Sequence, residues 1–389
     1  MIKYFAVENF RSIMKENILE FDTNETRQKQ LNTSSVIGFV GANASGKTTI
    51  LDAITFVLWF MKDSFLNIKD EIPIAAFATT PDLPTKFHII FSKQSNVDDQ
   101  VKYIDYEYAL TLTSETVIYE SLHYYTDKQK NMAYIRNAGN VEFGSNIPIP
   151  ASDIKVFNRD LKHNSSIISY AAMYPSQVIA IDCQQYPFQS NVRLDGFKQF
   201  DFNEFVVLDL LKNKSFLDRV LEFLKVADVG IENIMLIDDP LEKKPANKTA
   251  DILFEHHIGK KKFSFNKTKE SSGTLKFVML LAHVFKYLDD GTLLILDEIE
   301  LHLHPDLICL IIDLFKTENE HNAQLIFSFH NTALMEMLLP DELWFTEKND
   351  NGDTTIFSAL HFEDIQDMNE KSLEKLYRIG RFGAKPRGI

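Results

Sequence analysis

The sequence has very little cysteine and no long apolar run. Only Cys183 and Cys309 are cysteines among the 389 residues, which excludes a disulfide framework and favours a reducing compartment. The longest apolar runs, Ala53 to Met61 and Phe277 to Phe285, fall short of the roughly 18 residues that a membrane helix needs. The opening MIKYFAVENFRS lacks the basic and then apolar pattern of a signal peptide. We therefore expect a soluble cytoplasmic protein without a membrane contact.

The chain also lacks an excess of positive charge. It has 41 lysines and arginines against 55 aspartates and glutamates, which gives a net charge of −14. This balance argues against a surface that coats nucleic acid, although a basic cluster at 260–262 and another near the C-terminus leave a local contact with DNA open. No heptad repeat is long enough to predict a coiled-coil arm.

Short apolar strands alternate with helical patterns towards both ends of the chain. Val36 to Val40 predicts a buried strand, and Thr48 to Met61 predicts a helix that is apolar on more than one face. A similar alternation closes the chain, and it predicts a parallel sheet with helices on its faces. The elements predicted there are a helix at Ser271 to Leu288, a strand at Leu293 to Leu296, a helix at Pro305 to Phe315 and a strand at Ala323 to Phe329.

The middle of the chain has a different pattern. Between Lys86 and Arg136, alternating segments rich in aromatic residues predict antiparallel strands. The segment 153–177 favours helix, and Phe200 to Val229 carries apolar residues at helical spacing. The segments 231–238 and 250–266 predict further strands, so we expect an inserted or flanking lobe here.

A glycine-rich segment between the first buried strand and its helix predicts a phosphate-binding loop. GANASGKT has the complete G-x-x-x-x-G-K-[ST] spacing, in which backbone N–H groups surround phosphate. Lys47 is expected to reach the β and γ phosphates, and Thr48 to offer its hydroxyl to Mg²⁺. A chance glycine-rich turn is the alternative. The predicted nucleotide-binding residues are Gly41, Ala42, Asn43, Ala44, Ser45, Gly46, Lys47, Thr48 and Thr49.

Two acids follow the buried strand TLLIL. Asp297 would lie beside the phosphate-binding loop if both strands belong to one parallel sheet, where it could hold Mg²⁺. Glu298 could polarise an attacking water. An acidic strand end without function is the alternative, but the combination with the phosphate-binding loop favours a nucleotide site.

Two further segments are candidates for contacts with phosphate. Ser271, Ser272 and Gly273 precede an apolar helix, whose N-terminus favours anions, although a simple serine N-cap is the alternative. A second such helix start suggests a contact with ATP on another subunit. His330 follows a buried strand, where its ring could bond the γ phosphate or serve a structural role instead.

Together these motifs resemble the ATPase heads of the ABC type, a group that includes SMC proteins, RecF and the ATPases of double-strand-break repair. The phosphate-binding loop (Walker A), the signature Ser271 to Thr274, the acidic strand end (Walker B), the segment Leu301 to Pro305 and His330 occur in the order of that group. The opening ENFRSI and the SSGT form of the signature are most similar to the prokaryotic AAA-type ATPases of the OLD-like and abortive-infection group. The resemblance covers residues 1–60 and 265–340.

The resemblance implies an α/β fold: a P-loop NTPase head of the ABC type with a mixed β-sheet flanked by helices, plus an inserted α+β lobe. The N-terminal part of the head with Walker A is expected at 1–61, the β-rich and then helical lobe at 62–264, and the C-terminal part with signature, Walker B and His330 at 265–389. Glu270 stands where transporters of this type carry leucine, and Gln94 and Gln177 are the candidates for the Q-loop glutamine.

The resemblance also implies the role of each site residue. ATP and Mg²⁺ are the expected cofactors, with Lys47 and Thr48 on phosphate and metal and Asp297 supporting the metal. Glu298 is the implied catalytic base and His330 the switch histidine. Ser272 and Gly273 are expected to reach the γ phosphate of a partner subunit in a homodimer or a higher homo-oligomer.

Three functions are compatible with these motifs. The first is a regulatory ATPase of bacterial anti-phage defence, or abortive infection, that controls a separately encoded effector such as a nuclease or toxin. The second is a repair or recombination ATPase similar to RecF and SMC proteins, which clamps DNA directly. The third is a scaffold that binds ATP without turnover, which Glu298 disfavours.

Overall fold

The computed structural model describes residues 1–21, 33–97, 100–126, 129–145, 151–174, 178–193, 204–227, 230–238, 250–258, 261–300, 304–362 and 373–383. The chain divides into two compact units. The first comprises Met1–Gln199, Thr292–Glu298 and Gln324–Ile389, and the second comprises Phe200–Gly291 and Ile299–Ala323. The division of the sequence into three segments stays a prediction.

The described strands are β1 (Ile2–Glu8), β2 (Asn17–Glu20), β3 (Val36–Val40), β4 (Thr85–Val97), β5 (Gln100–Leu112), β6 (Val117–Thr126), β7 (Gln129–Asn137), β8 (Asn140–Phe143), β9 (Phe188–Ser190), β10 (Asn233–Asp238), β11 (Ala250–Ile258), β12 (Lys261–Asn266), β13 (Leu293–Leu296), β14 (Gln324–Ser328), β15 (Leu343–Lys348) and β16 (Thr354–Ser358). The described helices are α1 (Lys47–Asn67), α2 (Ala151–Asp160), α3 (Ile167–Ala171), α4 (Val178–Gln184), α5 (Glu204–Leu211), α6 (Lys214–Val226), α7 (Ser272–Asp290), α8 (Pro305–Thr317) and α9 (Leu373–Arg378). None of these helices combines the length and apolar character of a membrane span.

The first unit contains a six-stranded sheet in the order β16-β15-β3-β14-β13-β9. All neighbours are parallel except β15 and β16. Every residue of β3, β13 and β14 is buried, as expected for parallel strands. The parallel sheet predicted from the alternating pattern is therefore confirmed, and so is the α/β fold class. Because carboxyl ends of parallel strands meet at one edge, the segments that follow these strands are brought together.

A second sheet in the same unit is antiparallel, in the order β2-β1-β4-β5-β6-β7-β8. The antiparallel strands predicted between Lys86 and Arg136 are therefore confirmed. Helix α1 packs against β13 and β14 of the parallel sheet. Its Phe56 ring also lies 5.4 Å from that of Phe87 on β4 and 6.3 Å from that of Phe10. Contacts on both sides explain why this helix is apolar on more than one face.

The second unit combines helices with a three-stranded antiparallel sheet, β10-β11-β12. Its apolar interior includes Phe285 of α7, whose ring lies 5.8 Å from that of Phe223 on α6. The helical pattern at Phe200 to Val229 corresponds to α5 and α6. The strands predicted at 231–238 and 250–266 correspond to β10, β11 and β12. The predicted helix starting at Ser271 is observed as α7.

A buried carboxylate, Glu120, organises the antiparallel sheet. Its Oε1 accepts hydrogen bonds from Tyr108 at 2.9 Å, Tyr134 at 3.1 Å and Ser166 at 2.7 Å. Burial raises the pKa of both tyrosines well above 10, so each phenol keeps the proton that it donates. The Arg136 guanidinium lies 3.7 Å from Glu120 and also donates to the backbone carbonyls of residues 162, 163 and 165. This network connects the sheet to the start of α3.

We predict that Glu120→Ala lowers the free energy of unfolding by about 3 to 5 kcal/mol, because Arg136 would remain buried without its carboxylate. Denaturant unfolding followed by tryptophan fluorescence measures the change. Glu115→Ala, on the exposed connection before β6, is the matched control and should shift stability by less than about 0.5 kcal/mol. Equal effects for the two variants would contradict the structural role of Glu120.

Candidate functional site

A cavity of about 390 Å³ lies at the carboxyl edge of the parallel sheet, and every residue that lines it belongs to the first unit. The lining combines the glycine-rich loop with the ends of β13, β14 and β15. Its residues are Arg11, Ser12, Asn43, Ala44, Gly46, Lys47, Thr48, Thr49, Asp297, Glu298, His330 and Lys348. Of the residues predicted for a nucleotide, Gly41, Ala42 and Ser45 lie in the same loop but do not line the cavity.

The glycine-rich loop has the backbone geometry of an anion-binding nest. Ala44 has φ of 60° and Gly46 has φ of 113°, so two loop residues adopt the left-handed conformation. This conformation turns successive N–H groups towards one side of the loop. Helix α1 begins directly afterwards, and its N-cap is Gly46, which has no side chain that could cap the helix. The loop and the positive end of the helix dipole together fit a phosphate group.

The two glycines of the motif are required because the β15–β16 hairpin contacts the loop closely. A Cβ at Gly41 would lie 2.3 Å from the carbonyl oxygen of Thr346, and one at Gly46 would lie 2.4 Å from Cγ2 of Thr354. Thr354 also donates its hydroxyl to the carbonyl of Ser45 at 3.1 Å, and the hydroxyls of Ser45 and Thr346 are bonded. The hairpin therefore packs against the glycine-rich loop and stabilises its conformation.

The side chain of Lys47 folds back over this loop. Its Nζ donates to the carbonyl oxygens of Gly41 at 2.8 Å and Ala42 at 3.0 Å, and the residue is only 6% exposed. The positive charge is therefore held at the loop, where a phosphate chain would need a counter-charge.

Thr48 and Asp297 meet inside the cavity, although they are 249 residues apart in sequence. The Thr48 hydroxyl donates to Oδ2 of Asp297 at 2.9 Å. The other carboxylate oxygen of Asp297 accepts from the hydroxyl of Ser328 on β14. A hydroxyl and a carboxylate oxygen at this separation are the hard oxygen ligands that Mg²⁺ prefers, so the donor set fits this metal.

Asn191 holds the backbone of Asp297 in place. Its side-chain amide donates to the carbonyl of Asp297 at 2.9 Å and accepts from the N–H of Asp297 at 2.7 Å. Sequence reasoning missed this residue because it follows β9, a strand of only three residues. Of the glutamines considered for the Q-loop, Gln94 lies on β4 and does not line the cavity, and Gln177 lies outside the described residues.

Glu298 and His330 form the other wall of the cavity. The Glu298 backbone adopts φ of 51°, which costs a residue other than glycine about 1 kcal/mol, and its N–H donates to the Ser328 hydroxyl at 2.8 Å. Oε1 of Glu298 lies 3.5 Å from Nε2 of His330, with the side chains 46% and 38% exposed. A carboxylate that faces the cavity beside an imidazole is suited to activating a water.

The segment after His330 is hydrogen-bonded to helix α9. Thr332 donates its hydroxyl to Glu374 at 2.7 Å, and the backbone N–H of Glu374 donates to the Glu336 carboxylate at 2.9 Å. Both bonds attach the 3-10 turn Thr332–Met337 to α9. The hydrogen bonds from Thr332 and Arg378 lower the pKa of Glu374, which keeps it ionised and able to accept both.

Three lining residues were not predicted as part of the site. Arg11 forms an ion pair with the buried Asp52 of α1, and the Ser12 hydroxyl is bonded to that of Thr49 at 3.0 Å. Both belong to the segment ENFRSI, which the sequence analysis related to the family resemblance but not to the site. Lys348 ends β15, a strand that the sequence analysis did not identify.

The signature residues belong to the second unit. Ser271 is the N-cap of α7 and accepts the N–H of Thr274 at 3.0 Å, as the capping alternative predicts. Ser272 and Gly273 form the first turn of this helix. The preceding Glu270 is paired with His256 of β11. Contact of the signature with a second subunit stays a prediction, and residues 301–303 of the segment Leu301 to Pro305 lie outside the described residues.

Comparison with known proteins gives one family match. Residues 36–336 match the model of the family described as "AAA domain, putative AbiEii toxin, Type IV TA system". No curated protein matches the chain.

Several solved structures are similar to the chain. They include an Smc head bound to the C-winged helix domain of ScpA, with 15% identity, TM-score 0.44 and coverage of 97% of this chain and 99% of that chain. The SMC head domain of Thermotoga maritima has 16% identity, TM-score 0.44 and coverage of 92% and 98%. An Smc head domain with an extended coiled coil, bound to the C-terminal domain of ScpA from Pyrococcus furiosus, has 16% identity, TM-score 0.42 and coverage of 98% of both chains.

We predict that Gly46→Ala destabilises the chain more than Gly139→Ala does. Both glycines have positive φ, but a Cβ at Gly139 meets nothing within 4 Å, whereas one at Gly46 meets Thr354. The shared backbone penalty is about 1 to 2 kcal/mol, and the clash adds about 1 to 3 kcal/mol at Gly46 alone. Denaturant unfolding measures the loss in free energy of unfolding for each variant, and the difference between the two losses gives the contribution of the clash. Equal losses would show that the hairpin does not restrict the loop.

Proposed function

This chain belongs to the family described as "AAA domain, putative AbiEii toxin, Type IV TA system", and we propose that it binds ATP with Mg²⁺ and hydrolyses the γ phosphate at the cavity of the first unit. The observation that carries this proposal is the meeting of Lys47 and Thr48 with Asp297 and Glu298 in one cavity. A phosphate nest, a metal-binding pair and a carboxylate at one sheet edge are the parts that ATP hydrolysis needs.

Each group has a distinct role in the proposed reaction. The loop N–H groups and Lys47 bind the phosphate chain, while Thr48 and Asp297 would hold Mg²⁺, which neutralises phosphate charge when bound. Glu298 accepts a proton from the attacking water, and its cavity-facing carboxylate supports this assignment. His330, 3.5 Å from Glu298, detects whether the γ phosphate is present. Ser328 and Asn191 keep Asp297 in place.

Two chains would complete the reaction by dimerising around two ATP molecules. The start of α7 supports this step, because Ser272 is exposed at a helix N-terminus that can bind an anion. One ATP needs only one phosphate-binding loop, so a second terminus is available for the partner's nucleotide. In a dimer with a two-fold axis, a contact between one chain's signature and the partner's nucleotide is matched by the reverse contact.

The biological role that we propose is the control of a separately encoded effector in bacterial anti-phage defence. The family description supports this role, since it names a toxin of a type IV toxin–antitoxin system. ATP binding would close the dimer and hydrolysis would open it, which gives an effector two states to distinguish. The net charge of −14 favours a protein effector over DNA as the principal partner.

We predict that Glu298→Gln lowers the rate of ATP hydrolysis by about 10² to 10⁴-fold while ATP affinity is kept, because the amide cannot accept the proton. Phosphate release and nucleotide titration measure the two quantities separately. Lys47→Ala is the comparison variant, and it should lose both ATP affinity and hydrolysis. Glu71→Gln, an exposed residue after α1, should change neither. Unchanged turnover in Glu298→Gln would rule out its assignment as the base.

We predict that Glu298→Gln forms a dimer with Mg²⁺-ATP that retains the product of the adjacent gene. Slow hydrolysis should accumulate the closed state, and light scattering after size exclusion measures its mass. A matched sample of Ser272→Arg in the same background should stay monomeric, because the bulky cation would block the helix start. Salt-sensitive retention of DNA without the neighbouring protein would instead support a clamp similar to RecF and SMC proteins.

A further inference from the structure

The β15–β16 hairpin does more than support the phosphate-binding loop. In its register Lys348 is paired with Thr354, the residue whose hydroxyl bonds to the carbonyl of Ser45. The hairpin is therefore fixed to the loop at the very point where β15 ends. Lys348, the last residue of that strand, lines the cavity together with Lys47.

Strand alternation defines which side of β15 carries this lysine. Thr346 is two residues earlier, so its side chain and that of Lys348 share one face. The hydroxyl of Thr346 is bonded to Ser45, which shows that this face is directed at the loop. On the opposite face, Phe345 stacks on Phe382, with ring centroids 4.7 Å apart. The β-sheet geometry thus directs Lys348 towards the cavity.

The charged residues that line the cavity indicate which kind of ligand Lys348 would contact. Asp297 and Glu298 contribute two negative groups, while Arg11, Lys47 and Lys348 contribute three positive ones. Arg11 is paired with the buried Asp52, which offsets its charge. A triphosphate is strongly anionic, and lysine ammonium groups bind phosphate as point charges.

We propose that Lys348 is a second lysine contact for the phosphate chain of the nucleotide, delivered by the β15–β16 hairpin. This inference rests on the proposed function of the same cavity. It assigns to the hairpin a direct part in nucleotide binding, in addition to its support of the loop.

The test measures the affinity of the full chain for Mg²⁺-ATP by calorimetry in four variants. Lys348→Met and Lys348→Gln remove the charge, Lys348→Arg keeps it, and Lys69→Met removes a charge from an exposed lysine that does not line the cavity. We expect about a tenfold loss of affinity for the two neutral variants, since a contact with a charged group is lost. We expect less than a threefold change for Lys348→Arg and none for Lys69→Met. Having two neutral variants keeps the test decisive if one of them fails to fold.

The dependence of the ATP affinity on salt concentration is an independent test of the contact. A lost contact between charges should make the affinity of Lys348→Met less sensitive to ionic strength than that of the wild type. Wild-type affinity in the neutral variants, or an equal loss in Lys348→Arg, would overturn the assignment of Lys348. If the wild-type chain itself does not bind ATP, the proposed function fails, and that outcome is distinct from binding that is indifferent to Lys348.

Discussion

The parallel pairing of β3, β13 and β14 is the constraint on which the rest of the site depends. It brings the segments after these strands to one edge, so that Thr48 and Asp297 bond to each other across 249 residues of sequence. Neither the loop nor the acids would form a site alone. The second requirement is a fixed helix start, which the burial of α1 against both sheets provides. Rigid strands and a buried helix hold small polar groups more accurately than loops do.

Local patterns in the sequence were sufficient to predict the central part of this arrangement. The apolar runs of β3, β13 and β14 and the glycine-rich loop each carry their own signal, and the family match confirms the resemblance to AAA-type ATPases of the abortive-infection group. Asn191 and Lys348 could not be predicted in this way. Their importance comes from strand pairing between distant segments, and β9 is too short to show a period. The role of Thr354 likewise depends on its contact with Gly46, which no local pattern reveals.

The site also combines ordinary and strained geometry. Most of the first unit follows standard propensities, but Ala44, Gly46 and Glu298 all have positive φ beside the cavity. Such conformations persist only where neighbouring groups enforce them, and here Ser328 and the hairpin supply those contacts. Positive φ also occurs at turns away from the cavity, such as Ala138 between β7 and β8, but beside the cavity it positions the groups of the proposed chemistry.

The support of the loop by Thr354 has a consequence for biosynthesis. Ser45 and Thr354 are 309 residues apart, so a ribosome working at about 5 to 20 residues per second completes the second roughly 15 to 60 s after the first. During that interval the nascent chain contains the whole glycine-rich motif but not the hairpin that supports it. The glycine-rich loop would thus gain the contact with Thr354 only late in translation.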